Sequence, residues 1–423
     1  MENVCNKMHA SQTFYCHVLD CAQFSQPKFK FRNWLLNTEI KKEICIMYKV
    51  MTPGPTQVRE NVRMARSLVC TNPDLDEEFV DFYKETCEEI SELLGTKNET
   101  LILDGEGILG LEAACASLTE PGDKVLVIEN GVYGEGFADF VTLYGGVPEF
   151  YHADRLNAID PDGLSSYLKE HHDYKYATVV HCDTPSGMLN PVDKICPLLK
   201  EYGILTVVDS VSGMFGNEMH VDDYQIDLLC GGSQKAVSAP PGLTFVTISD
   251  TAKKAMHERK TPIRSFYASL PAFDGYYEKK WFPYTMPISD IYGLRAAFDN
   301  IKADPDLISR THRIAEATRN AVKEAGLPLH LQSGFSDTVT VFDIPEGTTC
   351  DAILTTMRKD HHIMLAGSFD DLSGKVIRIG HMGNNANFED MITTMLALSE
   401  TFDSLGIELK GNLAELFLKY YEA

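Results

Sequence analysis

Short runs rich in aliphatic and β-branched residues recur along the middle of the chain, at residues 100–103, 124–128, 147–152, 177–182, 204–208, 226–229 and 243–248, with segments of helical length between most of them. Strands alternating with helices predict a largely parallel sheet flanked by helices, an α/β architecture. Ligands in such folds bind beyond the carboxyl ends of the strands, so the residues just after each run are the ones to inspect. Residues 77–94 predict a helix, with Phe79, Phe82, Ile90 and Leu93 set among acidic residues. The run Met51-Thr52-Pro53-Gly54-Pro55 cannot be helical, because proline restricts itself and the residue before it. An extended arm is therefore expected over 47–64.

After Pro287 the rhythm lengthens. Helices are predicted at 291–301, 309–325, 391–405 and 413–421, and strands at 338–342 and 375–379. The expected organisation is a large domain over 65–304 followed by a small α+β domain over 305–423. Residues 1–46 show neither strong periodicity nor the apolar core of a secretory signal. They read as a poorly ordered extension or an over-long start, with the functional chain beginning near Met47. Cys5, Cys16 and Cys21 with His9 and His17 match no standard zinc-finger spacing, so no metal is expected there.

Charge narrows the partners. The 423 residues hold 38 Lys plus Arg against 61 Asp plus Glu, a net charge of -23. An acidic surface argues against nucleic acid and anionic membrane as partners, and it leaves small anions to be held by local donors. No run reaches the roughly 18 apolar residues of a membrane-spanning helix. Eleven cysteines without regular spacing read as reduced thiols in a cytoplasmic protein.

The strand ends carry candidate chemistry. Gly231-Gly232-Ser233-Gln234-Lys235, with Pro240-Pro241-Gly242 after it, places one lysine on a rigid turn. A lysine whose pKa is lowered by desolvation or a neighbouring cation becomes a nucleophile, able to form a Schiff base with a carbonyl substrate or pyridoxal phosphate. Taken alone, a loop lysine is usually a surface residue, and Asp209 at the end of 204–208 is equally a helix cap. Together they gain a sharper role, since a carboxylate facing a pyridine nitrogen keeps it protonated and makes the ring an electron sink. Tyr133, between glycines, can lie over a ring. Thr184 follows 177–182. The turn Asp104-Gly105-Glu106-Gly107-Ile108 opens a helix and offers backbone N–H groups to a phosphate.

The combination Gly232-Ser233-Gln234-Lys235, Pro240-Pro241-Gly242, Val208-Asp209-Ser210-Val211, Asn130-Gly131-Val132-Tyr133-Gly134 and Pro53-Gly54-Pro55 resembles the class V, fold-type I pyridoxal 5'-phosphate-dependent aminotransferases, nearest their alanine-glyoxylate and serine-glyoxylate branch. The resemblance spans residues 47–400 and implies a mostly parallel seven-stranded sheet with a smaller C-terminal domain. It implies that Lys235 holds the cofactor and shuttles the proton, that Asp209 pairs with the ring nitrogen, that Tyr133 stacks on the ring and that Thr184 bonds its hydroxyl oxygen. Gly107, Ile108 and Gln234 would hold the phosphate, with Tyr284 and Thr285 reaching the phosphate of a neighbouring subunit in a homodimer with shared active sites. Arg378 and Gly54 would contact substrate. The implied reaction moves the amino group of alanine or serine to glyoxylate or pyruvate by a ping-pong route.

A sibling reading is 2-aminoethylphosphonate-pyruvate transaminase, suggested by the Asn130–Gly134 turn and Met188-Leu189-Asn190-Pro191. Ser233-Gln234-Lys235 and the Pro-Pro-Gly run favour the glyoxylate branch. Cysteine desulfurases need a nucleophilic cysteine on the C-terminal loop, and Ala366-Gly367-Ser368-Phe369-Asp370 has none. Lys235, Asp209 and Arg378 together argue against a non-catalytic scaffold. One departure stands out: Glu106 and Ile108 occupy the phosphate turn where relatives carry Ser, Thr or His, and a carboxylate beside a phosphate is unfavourable.

Overall fold

The computed structural model describes Tyr48–Ala423. The expectations for residues 1–46 lie outside the described residues. Seven strands make the central sheet: β1 Glu99–Asp104, β2 Lys124–Glu129, β3 Val147–His152, β4 Tyr176–Val180, β5 Leu205–Asp209, β6 Leu228–Gly232 and β7 Leu243–Ile248. Their order is β1-β7-β6-β5-β4-β2-β3. Only β7 runs antiparallel, between β1 and β6, and the remaining neighbours pair in parallel. β1 therefore points the same way as β5 and β6. The carboxyl ends of β1, β2, β4, β5 and β6 share one edge of the sheet, and β7 begins there, with Leu243 opposite Asp104.

β4, β5, β6 and β7 are buried along their whole length, as expected for strands covered on both faces. Each such Val or Leu contributes about 1.5–3 kcal/mol by leaving water. The helix Gly107–Leu118 packs on β6 and β7 through small residues, and a Cβ at Gly110 would collide with the Thr244 hydroxyl. One apolar cluster runs from Val62 to Phe298 and takes in Met382. A second is built from Leu307 to Phe417 and includes Met51. Around it stand the helices Leu307–Glu324, Phe388–Ser404 and Leu413–Tyr421 and the antiparallel pair Val339–Asp343 and Val376–Gly380.

Several boundaries shift for identifiable reasons. The expected strand at 177–182 stops at Val180, and Cys182–Asp183 pairs instead with Met188–Leu189 in a tight hairpin. The run at 226–229 starts later, at Leu228, because the buried Asp227 carboxylate serves as a polar hub: it takes the Lys200 ammonium at 2.5 Å, the Thr206 N–H at 3.0 Å and the Ser249 hydroxyl at 2.8 Å. The arm is extended only to Arg59, after which Glu60–Ala65 is helical. Its first residues, Lys49–Val50, pair in parallel with Ile363–Met364, so the arm is stitched to the C-terminal part before crossing the edge of the sheet. No helix among the described residues is long and apolar enough to cross a membrane.

Candidate active site

A cavity of about 300 Å³ opens at the sheet edge where β1, β4, β5 and β6 end. Two larger clefts, of about 760 and 900 Å³, lie elsewhere among the described residues, and neither sets an enclosed lysine against a buried carboxylate.

Lys235 projects into the 300 Å³ cavity from the turn after β6. The turn is tied down on several sides: the Ser233 hydroxyl donates to Pro240 O at 2.6 Å, the Ser238 N–H to Lys235 O at 2.9 Å, and the Thr56 hydroxyl to Lys235 O at 2.9 Å. The arm passes close over the lysine. Lys235 Nζ donates to Pro53 O at 3.0 Å, and Gly54, at φ 112°, leaves no room for a side chain, since a Cβ there would lie 2.7 Å from Nζ. Burial is the main cause pulling the Lys235 ammonium below its ordinary pKa; Arg378 pushes the same way, while Cys182, Asp209 and Glu106 oppose. An enclosed amine that loses its proton readily is a nucleophile and a base.

Asp209 ends β5 beside this lysine and is buried. Its Oδ1 accepts from Val211 N at 2.9 Å. Burial pushes the carboxyl up to about 7; the Val211 N–H and Lys235 pull it down, and Asp183 and Glu106 push it further up. Tyr133 stands in the first turn of the helix Val132–Leu143, its N–H donating to Asp183 Oδ1 at 3.3 Å. Gly131 permits that approach, as a Cβ there would lie 2.6 Å from Asp183 Oδ2. Thr184 lines the cavity, and its carbonyl accepts from Arg378 Nη1 at 3.1 Å. Arg378 also donates through Nε to Gly367 O at 2.6 Å. It makes no direct ion pair among the described residues; burial lowers its pKa, while Tyr133 and the Asp183 carboxylate oppose. Phe369 flanks this end, 6.1 Å from the Tyr133 ring and 5.9 Å from the Arg378 guanidinium, on a loop held by Arg155 and Asp371 at 2.8 Å.

The turn after β1 brings Gly107 and Ile108 to the opposite wall. Glu106 caps the helix they open: Oε2 accepts from Ile108 N at 3.0 Å, and Oε1 accepts from Gln234 Nε2. Gln234 Oε1 and Ser212 Oγ are buried without a hydrogen-bond partner. Ser212 and Cys182 line the cavity and escaped the sequence reading. The signal for Ser212 was its place three residues after Asp209; for Cys182, its place two residues before Thr184. Tyr284 and Thr285 do not line the cavity. The Thr285 hydroxyl donates to Asp74 at 3.0 Å, and Tyr284 stacks on Tyr267 at 4.2 Å beside the exposed Phe266.

A pyridoxal ring suits one half of this cavity: an amine for its aldehyde, a buried carboxyl for its nitrogen, and an aromatic face and a hydroxyl beside them. The phosphate half does not suit the group as it stands, because the chain's own carboxylate holds the helix N-terminus.

A family model described as Aminotransferase class-V matches residues 57–366. An uncharacterized aminotransferase of Methanocaldococcus jannaschii is 32% identical over 371 residues, 87% of this chain and 96% of the relative. The alanine–glyoxylate aminotransferase of Callithrix jacchus is 31% identical, covering 83% of this chain and 86% of its own. The crystal structure of pyridoxamine-pyruvate aminotransferase from Mesorhizobium loti superposes with a TM-score of 0.84 at 31% identity, covering 88% of this chain and 96% of that one.

Proposed function

The chain belongs to the class-V aminotransferases, and on that premise we propose that it transfers the amino group of a small L-amino acid, alanine or serine, to glyoxylate or pyruvate at Lys235. The observation that carries this reading is the pairing of an enclosed lysine with depressed basicity and a buried Asp209 at adjacent strand ends. Enzymes of this fold family depend on pyridoxal 5'-phosphate, whose ring, when bound, accepts the electron pair left by a departing proton. In our reading Asp209 keeps a proton at the ring nitrogen, Tyr133 covers the ring face and Thr184 addresses the ring oxygen. Lys235 Nζ then takes the proton from the donor carbon and returns it to the acceptor side. Arg378, whose direct partners are the carbonyls of Gly367 and Thr184, takes the substrate carboxylate. Gly54 and Pro53 close over Lys235 and exclude water from that end.

Tyr284 and Thr285 lie away from this cavity, under a surface bearing Phe266 and Trp281, each 62% exposed. We read that surface as the contact with a second copy, whose cavity these residues reach. The cluster from Val62 to Phe298 and the one from Leu307 to Phe417 support a large domain over 65–304 and a small one over 305–423. The seven described cysteines, all unpaired, agree with cytoplasmic residence.

A panel of amino donors against glyoxylate and pyruvate tests the assignment. Alanine or serine should give the highest kcat/KM, and Lys235→Ala should abolish turnover; wild-type rates in that variant would sink it. A second reading takes pyridoxamine, the donor printed in the name of the Mesorhizobium relative, as the amino donor here. One residue favours it, Glu106.

A further inference from the structure

The N-terminus of the helix Gly107–Leu118 lies in the cavity wall, where its N–H groups and the positive end of the helix dipole suit an anion. The chain supplies that anion itself. The Glu106 carboxylate accepts from Ile108 N at 3.0 Å and from Gln234 Nε2, so two of the donors that a phosphate would need are already engaged. What remains along this wall is the carboxylate, the buried Gln234 Oε1 with no partner, and the buried Ser212 hydroxyl with none, which can donate or accept. A phosphate ester near neutral pH carries a charge of about -1.5 to -2 and only accepts hydrogen bonds. A hydroxymethyl group is uncharged and donates one. It can donate to the Glu106 carboxylate, where a phosphate is repelled.

We infer that this wall of the cavity receives the free hydroxymethyl group of an unphosphorylated pyridine ring, so that the ring compound comes and goes as a substrate with Glu106 as the residue excluding its phosphate ester. The inference rests on the reading of Lys235 and Asp209 as the ring-holding pair, and it develops the second reading above, in which pyridoxamine is the amino donor. A ring-bound aminomethyl group and a 2-oxo acid become a ring aldehyde and an L-amino acid. Nitrogen leaves the ring-borne carbon for the acid's second carbon, and the carbonyl oxygen is exchanged in the opposite sense through one water released and one consumed. Two electrons pass to the acid, and one proton moves from the ring-borne carbon to the second carbon of the acid by way of Lys235 Nζ.

Direct binding tests this without relying on turnover. Pyridoxal and pyridoxal 5'-phosphate are titrated separately into ligand-free wild type, Glu106→Gln and Glu106→Ser, and followed by calorimetry and by the absorbance of the lysine-bound ring. Wild type should bind pyridoxal at least tenfold more tightly than the ester. Glu106→Ser should reverse the order, and Glu106→Gln, which keeps the shape and removes the charge, should narrow the gap. With pyridoxamine and pyruvate, wild type should release pyridoxal and alanine in equal amounts. Wild-type protein that binds the ester more tightly than pyridoxal, or a preference unmoved in Glu106→Gln, overturns the inference while leaving the ring site standing. If neither compound binds wild type, the ring site falls and the inference with it. If Glu106→Ser does not fold, wild type and Glu106→Gln decide the matter.

Discussion

Replacing Asp209 with Asn isolates the buried proton on which the ring site depends. In the ligand-free protein the Asp209 carboxyl titrates near 7 against an ordinary value of 3.8, chiefly because of burial. The folded state thus holds a proton that the unfolded chain releases near 4. This stabilising contribution is fully present below about 4 and is lost as pH rises through about 7, beyond which it stays lost. At about 1.4 kcal/mol per pH unit, the gap amounts to roughly 4 kcal/mol. Lys235, Asp183 and Glu106 face the same carboxyl, and Lys235, whose pKa is lowered, gains stability with rising pH in a higher window. The difference between wild type and Asp209→Asn cancels most of that contribution. Thermal melts of ligand-free protein between pH 4 and 8.5 should show wild type losing stability relative to Asp209→Asn by up to about 5 °C across pH 4–7. Saturating pyridoxal should flatten the wild-type profile, because a protonated ring nitrogen gives the carboxylate a partner. Parallel profiles for the two ligand-free proteins would refute the reasoning.

Three further outcomes follow from particular contacts. Gly54→Ala places a Cβ against Lys235 Nζ and an L-residue at φ 112°; it should destabilise by about 1–2 kcal/mol and cut kcat/KM at least tenfold, and unchanged kinetics would mean that the arm does not position the lysine. Phe369→Ala opens the space between Tyr133 and Arg378; kcat/KM for a bulkier 2-oxo acid should rise several-fold relative to pyruvate, and an unaltered ratio would remove Phe369 from the acid-binding end. Trp281→Glu combined with Phe266→Glu puts charge on the exposed aromatic surface; sedimentation should change from dimer to monomer with loss of activity, and a wild-type sedimentation coefficient would place the subunit contact elsewhere.

The central strands were legible because they are buried on both faces and so read as uninterrupted apolar runs, 243–248 matching β7 to the residue; the partly exposed edge strand β3 also matches 147–152. The rule that chemistry gathers at strand ends then led to Asp209, Tyr133, Thr184 and Lys235, which do converge on one cavity or its rim. Long-range geometry was not legible. Residues 226–229 looked like the start of a strand, yet Asp227 spends its carboxylate on Lys200, Thr206 and Ser249, partners that sequence spacing does not reveal. The Phe369 loop meets Tyr133 across 236 positions of chain, and no local pattern announces that meeting. Ser212 carried only a weak hint, a hydroxyl just past a strand end, and its importance comes from having no partner.

The acidity of the whole chain sharpens what Glu106 means. With a net charge of -23, any anion must be drawn in by donors placed for it. The cavity and its rim offer three: Lys235, Arg378 and the helix N-terminus at Gly107. Lys235 is drawn toward its neutral form by burial and is engaged with Pro53 O. The helix N-terminus is capped by Glu106. Arg378 donates only to the carbonyls of Gly367 and Thr184 and makes no direct ion pair among the described residues, with Asp183 favouring its charge through space. A site equipped in this way is matched to a ligand set carrying one strong anion, the carboxylate of an amino or 2-oxo acid. A second, doubly charged group would have to displace Glu106 into a field that already repels it. Two unit charges about 4 Å apart at a protein surface repel by about 4 kcal/mol, and a phosphate exceeds one unit. That margin is enough for a single carboxylate to decide which form of the ring the enzyme accepts.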